Sequence, residues 1–233
     1  MVPEPTSGAL RVGGGDEWVA EIITAVQPFT MTSAERIYGL CLAVDHVARH
    51  RVPGAIVECG VWRGGSAMAA ARTLDRAGEH ERHLVLFDTF HGMTPPAEVD
   101  RDLAGRSASA LMEREDPASS HVWAASSLEE VRRNLASTGY ERVDYVEGDV
   151  LQTIPDRAPE EIALLRLDTD WYESTRHELK WLFPRISTGG ILIVDDYGHW
   201  SGARRAVDEH FREIGSRTFL SPLDYTGRLA VID

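Results

Sequence analysis

Cysteine is nearly missing from this chain: Cys41 and Cys59 are the only two among 233 residues, too few for a disulfide framework or a zinc quartet. They read as small core residues of a reduced, cytosolic protein. Basic residues are also in short supply. Against 37 Asp and Glu there are 24 Lys and Arg, and a formal charge of −13 disfavours nucleic acid or an anionic membrane surface as a partner. No apolar run approaches the roughly 18 residues of a membrane span. The first residues carry neither the basic segment nor the apolar stretch of a secretory signal, so a cytoplasmic location is expected. Internal repeats are absent. Residues 1–15 are rich in Pro and Gly without periodicity and read as a loose leader, leaving 16–233 for one α/β domain with a sizeable core.

The chain is organised around the stretch from Val52 to Ala71. Ala55 to Val57 form a short buried strand bounded by Pro53-Gly54, and Ser66-Ala-Met-Ala-Ala-Ala71 favours helix. Between them lie Gly60, Gly64 and Gly65. Glycines at a strand-to-helix turn allow positive φ and close approach by a ligand, and the helix N-terminus offers free N–H groups. A dinucleotide fingerprint would read Gly-x-Gly-x-x-Gly, which this spacing is not. An acidic residue closing the strand, Glu58, suits a ligand bearing an ammonium group, such as S-adenosylmethionine. A tight turn with no ligand is the alternative for three glycines taken alone.

The rest of the chain alternates strands and helices. Asp16 to Val26 and a second segment, with a capping box at Thr32-x-x-Glu35 and running to about His50, have helical apolar spacing. Both are candidates to cover a cofactor site or, through Trp18, Ile22 and Ile23, to form a homodimer. His83 to Phe87 is a strand delivering Asp88 to the place of a ribose. Residues 89–126 lack strand character and suggest a lid. Val143 to Glu147 is a strand ending in Gly148-Asp149, near an adenine. Ile162 to Leu167, apolar except for Arg166, delivers Asp168-Thr-Asp170-Trp-Tyr172. Gly189 to Val194 delivers Asp195-Asp196-Tyr197-Gly198-His199. An antiparallel hairpin of Arg217 to Leu220 with Leu229 to Ile232 closes the chain. The expected architecture is a doubly wound sheet of about seven strands, mostly parallel with an antiparallel C-terminal pair.

If the strands before Asp168 and Asp195 are parallel neighbours, Asp168, Asp195 and Asp196 converge. Either some are protonated or a hard divalent cation sits among them, and oxygen-only ligands suit Mg²⁺. For a bare Asp-Asp pair, an acidic turn is the plainer reading.

Four ordered motifs now carry a resemblance: Val52-Pro-Gly-x-x-Val-Glu-x-Gly-Val-Trp-Arg-Gly-Gly, Asp88-Thr-Phe-x-Gly-Met-x-Pro, Leu167-Asp-x-Asp-x-Tyr-x-Ser-Thr and Gly190-x-x-Ile-Val-Asp-Asp-Tyr-Gly. Over about Thr32 to Phe211 the chain resembles the macrocin- and mycinamicin-type sugar O-methyltransferases of antibiotic biosynthesis, which use S-adenosylmethionine and Mg²⁺. By that resemblance Glu58, Gly60, Ser66, Asp88 and Asp149 contact the cofactor, with Gly64 and Gly148 in the same two turns, and Asp168, Asp195 and Asp196 hold the metal. Thr169-Asp170-Trp171 departs from the Gly-Asp-aliphatic run more usual in the family.

The expected reaction is methyl transfer to one hydroxyl of a vicinal diol, on a glycosylated small molecule or on a catechol. Chelation by Mg²⁺ would lower the hydroxyl's pKa, and a base would take its proton. Asp168 is the first candidate for that base, with Asp170 and His199 behind it. A nicotinamide-dependent oxidoreductase fits the glycine spacing poorly, and a silent binding protein would have no use for the carboxylates.

Overall fold

The computed structural model describes residues 15–116 and 122–233, so the expected leader, Gly15 apart, lies outside the described residues. Five short runs form the parallel part of one sheet: β1 (Ala55–Cys59), β2 (Leu84–Asp88), β3 (Val143–Glu147), β4 (Ile162–Leu167) and β5 (Ile186–Val194). Strands β6 (Ser221–Pro222) and β7 (Arg228–Val231) add antiparallel edges, giving the order β3-β2-β1-β4-β5-β7-β6. Every residue of β1 and β4 is buried, as strands covered on both faces must be. The winding reverses between β1 and β4, and the carboxyl ends of those strands open the crevice where ligands bind in such sheets. This is the doubly wound, Rossmann-like arrangement expected from the alternation of elements.

One face of the sheet is covered by α1 (Glu17–Val26), α2 (Ala34–Arg49), α3 (Gly65–Ala77) and α5 (Leu128–Ala136), packed on Ile56, Leu86, Leu164 and Ile193. The other carries α6 (Val150–Thr153), α7 (Tyr172–Leu182) and α8 (Ser201–Glu213), packed on Val57, Leu165 and Val194. A short helix, α4 (Ala108–Met112), belongs to the long connection after β2.

Two expected details are altered. The cap of α2 is Ser33, whose hydroxyl accepts from Arg36 N at 3.2 Å, because the Thr32 hydroxyl is taken by Arg166 at 2.9 Å. The last hairpin pairs Ser221-Pro222, not 217–220, with β7; Pro222 lacks a ladder donor and tolerates only such an edge. Of the residues expected to form a homodimer, Ile22 is buried, Ile23 is packed against the same core, and the Arg76 guanidinium lies 4.2 Å over the Trp18 ring. The described part of the stretch expected as a lid is tied to the body of the domain. Asp100, wholly buried within it, accepts from Tyr172 N at 2.9 Å and Ala97 N at 2.7 Å, and Trp171 Nε1 donates to Thr94 O at 2.9 Å. Met93, Leu111 and Val122 pack against Trp171 and Trp200, whose rings meet edge to face at 4.9 Å.

Candidate active site

The turn from β1 into α3 is shaped by two glycines. Gly60 has φ +85, and a Cβ there would lie 2.0 Å from the carbonyl oxygen of Asp168, so only glycine lets the ends of β1 and β4 run so close. Gly64, at φ +87, ends the turn; its missing Cβ makes room for Leu135 of α5. Asp88 then ties the loop down. Its Oδ2 accepts from Val61 N at 2.6 Å and Trp62 N at 3.1 Å, and its Oδ1 accepts from Phe90 N at 2.7 Å. Burial raises the Asp88 pKa while those three N–H donors pull it back.

A cavity of about 340 Å³ opens beside this turn, within the size range of small-molecule sites. Gly60, Ser66, Asp88, Gly148, Asp149, Asp168, Asp170, Asp195, Asp196 and His199 line it. Glu58 and Gly64 do not. Side chains alternate along a strand, and Glu58 is in register with Arg166 of β4, on the same face of the sheet. It meets Arg166 at 2.6 Å with almost no exposure. The carboxylate expected to face a ligand ammonium is thus paired with Arg166 in this structure. Asp149 lines the cavity while capping α6, accepting from Leu151 N at 2.9 Å, a helix too short to show in the sequence pattern.

Arg166 is the centre of the buried charge. Its guanidinium lies 2.6 Å from Glu58, 2.8 Å from Asp168 Oδ2 and 2.8 Å from Asp195 Oδ1, and it donates to Thr32 Oγ1. Arg36 of α2 closes on Asp195 Oδ2 and Asp224. Burial opposes the positive charge of both arginines, yet the facing carboxylates, Asp168 and Asp195 for Arg166 and Asp195 and Asp224 for Arg36, hold their pKa above the ordinary arginine value. Neither arginine was among the expected site residues. A lone charge in an otherwise apolar central strand is itself a signal, since it must find a partner when buried.

Carboxylate oxygens of Asp168, Asp170 and Asp196 lie within 4.8 Å of one another, a spacing that could hold a metal ion. The expected triad named Asp195 where this group has Asp170. The difference follows from the arginines, which draw Asp195 inward. Burial raises the pKa of Asp168 and of Asp196 well above the carboxylate range, and pushes Asp170 up to about 7. Two buried oxygens stand without a hydrogen-bond donor, Asp195 Oδ1 and Asp196 Oδ2. The first has the charge of Arg166 beside it but no hydrogen bond. The second has no such cation, and a donor-poor anionic oxygen is costly unless one completes it, so the residues present fit a hard divalent ion. His199 stands at the same opening, its Nδ1 3.3 Å from Tyr225 Oη and its ring edge-on to Trp200 at 5.0 Å; burial lowers its pKa.

With this geometry in view, the comparisons with known proteins converge. The family model described as Macrocin-O-methyltransferase (TylF) matches residues 8–229. The 8-demethyl-8-(2,3-dimethoxy-alpha-L-rhamnosyl)-tetracenomycin-C 4'-O-methyltransferase of Streptomyces olivaceus is 35% identical over 201 residues, 85% of this chain and 73% of that one. The mycinamicin III 3''-O-methyltransferase of Micromonospora griseorubida is 30% identical over 200 residues, covering 85% of this chain and 76% of its own. Among solved structures, the O-methyltransferase NovP superposes with a TM-score of 0.74 at 32% identity, covering 88% of this chain and 82% of that chain.

Proposed function

The chain belongs to the macrocin O-methyltransferase family and is an O-methyltransferase, and from that premise we propose that it methylates one hydroxyl of a vicinal diol on a glycosylated small molecule, with Mg²⁺ as an obligatory partner. S-adenosylmethionine is the methyl donor implied by the family. The observation that carries the reading is the carboxylate group of Asp168, Asp170 and Asp196, with the donor-less oxygen of Asp196, in the same cavity as the glycine turn. The named acceptors of the relatives, a rhamnosyl-tetracenomycin and mycinamicin III, support a sugar hydroxyl as the target.

The chemistry sets the demands on this chain's residues. An unactivated alcohol is a poor nucleophile near neutral pH, and it must meet the methyl group in line. Asp168 and Asp196 would hold the ion, with Asp170 or Asp195 completing the set. When bound, a divalent cation supplies Lewis-acid activation and fixes a chelated diol. Ser66, Gly148 and Asp149 line the wall where the cofactor would lie, and Asp88 keeps the glycine loop in place while offering Oδ1 to a ribose. For the proton, Asp170 is preferred to Asp168. The Asp168 carboxylate is committed to Arg166, whereas Asp170 is paired with neither arginine and is freer to accept a proton from the acceptor. His199, which also lines the opening, is the second candidate for that base.

The test is methyl transfer from labelled S-adenosylmethionine to rhamnosylated acceptors bearing a free vicinal diol, before and after metal removal. Asp196→Ala should keep S-adenosylhomocysteine affinity and lose at least ~100-fold in rate, about 2.7 kcal/mol of transition-state stabilisation. Full turnover in excess chelator would refute the metal-dependent reading while leaving the family assignment in place.

A further inference from the structure

Glu178 is fully buried on α7, below the acidic turn, and takes no part in the chemistry assigned above. Both of its carboxylate oxygens face the hydroxyl of Thr169, at 3.0 and 3.1 Å. Thr169 is the residue between Asp168 and Asp170, and it lines the cavity with them.

We propose that the Glu178–Thr169 pair is a positioning device: it anchors the turn that presents Asp168 and Asp170, and so sets the geometry of the divalent site. The inference rests on the metal reading above. Three observations carry it besides the hydrogen bond. First, the turn is strained, because Asp170 has φ +64, a left-handed conformation that a non-glycine residue adopts at a cost. Strain of that kind persists only where the surroundings impose it. Second, the turn is fixed above and at its start, where Asp168 N donates to Cys59 O at 2.8 Å and the Asp168 carbonyl presses on Gly60. Third, the turn's far side is tied to the start of α7, with Trp171 N donating to Thr169 O at 2.7 Å and Ser174 Oγ to the same oxygen at 3.3 Å. The Thr169 side chain is what joins the middle of this turn to the helix layer beneath. A carboxylate is a costly thing to bury for the sake of one threonine hydroxyl. An apolar side chain at 178 would fill the same space more cheaply, so packing alone does not account for it.

Four variants separate positioning from filling: Thr169→Val and Thr169→Ser, Glu178→Leu and Glu178→Gln. Each is made in the full chain and checked by thermal melting, then titrated with Mn²⁺ by electron paramagnetic resonance in the presence of S-adenosylhomocysteine. Loss of an outer contact to a metal ligand costs ~10- to 100-fold in metal affinity. That loss is expected for Thr169→Val and Glu178→Leu, and the double variant should be no weaker than either alone. Thr169→Ser and Glu178→Gln, which keep the hydrogen bond, should restore affinity to within about threefold. S-adenosylhomocysteine binding should be unchanged throughout.

Folded Thr169→Val with undiminished Mn²⁺ affinity overturns the proposal. So does a loss in the double variant that equals the sum of the single losses. If the unaltered chain binds no Mn²⁺, the metal reading fails by itself, and the pair is then judged by crystallography of Thr169→Val. A displaced Asp170 upholds the pair, and an Asp170 left in its place rejects it.

Discussion

Replacing Glu178 by glutamine should stabilise the protein, and by an amount that grows with pH. The carboxyl group has no exposure, and its partner is the Thr169 hydroxyl. Burial, opposed by that hydrogen bond and reinforced by Asp149, pushes its pKa from 4.5 to about 8. The sign follows from linkage. Between those two values the unfolded chain has released the proton that the folded chain keeps, so stability falls as pH rises and the loss is complete above the folded value. At about 1.4 kcal/mol per pH unit the full penalty comes to ~5 kcal/mol. Glutamine is neutral at every pH and nearly isosteric, so the variant escapes it. The expected advantage of Glu178→Gln is under ~1 kcal/mol near pH 5, ~3 kcal/mol near pH 7 and ~5 kcal/mol near pH 9. Urea unfolding of both proteins at the three pH values gives the difference directly. Glu58 and Asp170 also titrate in this range, but they are common to both proteins and cancel. An advantage that does not change with pH, or a variant less stable than the parent at the highest pH, would refute the account of Glu178 as a carboxyl group kept neutral by burial.

Two further predictions concern the framework of the site. Gly60→Ala places a methyl 2.0 Å from a backbone oxygen at φ +85; left-handed strain of ~1–2 kcal/mol adds to ~1–3 kcal/mol of overpacking, and calorimetric melting together with S-adenosylhomocysteine titration should show both lowered stability and weaker binding. Arg166→Met leaves Glu58, Asp168 and Asp195 facing each other without their guanidinium and should cost ~3–5 kcal/mol at high pH. Glu58 already titrates up at about 7 because of burial, with Arg166 holding it down. Removing the arginine raises it further, so the defect should shrink as the pH drops and Glu58 takes up a proton; a pH-independent defect in denaturant unfolding would contradict this.

The layout of the sheet was legible because it follows from local pattern: apolar runs of strand length, helical spacing between them, and glycine where β1 turns into α3. The convergence of Asp88, Asp168 and Asp196 on one sheet edge follows from the same pattern. What the pattern does not carry is the direction of individual charged side chains. Glu58 closes β1 next to the glycine turn, yet its direction is decided by Arg166, 108 residues away in the chain and in register on the neighbouring strand. Thr32 begins a good capping box, yet Arg166 claims its hydroxyl and moves the cap to Ser33. Arg36 looks like one more exposed charge on an amphipathic helix until the fold brings Asp195 and Asp224 to it. The ties that hold the stretch after β2 depend likewise on Asp100 and Thr94 within it meeting Tyr172 and Trp171 at the start of α7, far away in the chain.

The arrangement of charge explains why adjacent aspartates at the end of β5 take different parts. Consecutive residues of a strand point to opposite sides. Asp195 therefore joins Glu58 and Arg166 on the inner side, where Arg36 and Arg166 meet it from α2 and β4. Asp196 turns to Asp170, whose carboxylate lies within the same group and raises the cost of charge on Asp196. Asp168 bridges the tiers, with one oxygen on Arg166 and its carboxylate within the outer group. The inner tier is compensated by fixed guanidinium charge that cannot be lost at any physiological pH. In the outer tier neither Asp170 nor Asp196 is matched by a direct arginine partner. Burial can quiet those carboxylates by protonation, as the raised pKa values of Asp170 and Asp196 record, but protonation leaves Asp196 Oδ2 without a donor. A divalent cation removes both costs together. The inner arginines thus compensate the buried carboxylates of the scaffold without an ion, and under the proposed reading the outer carboxylates are the ones left to hold it.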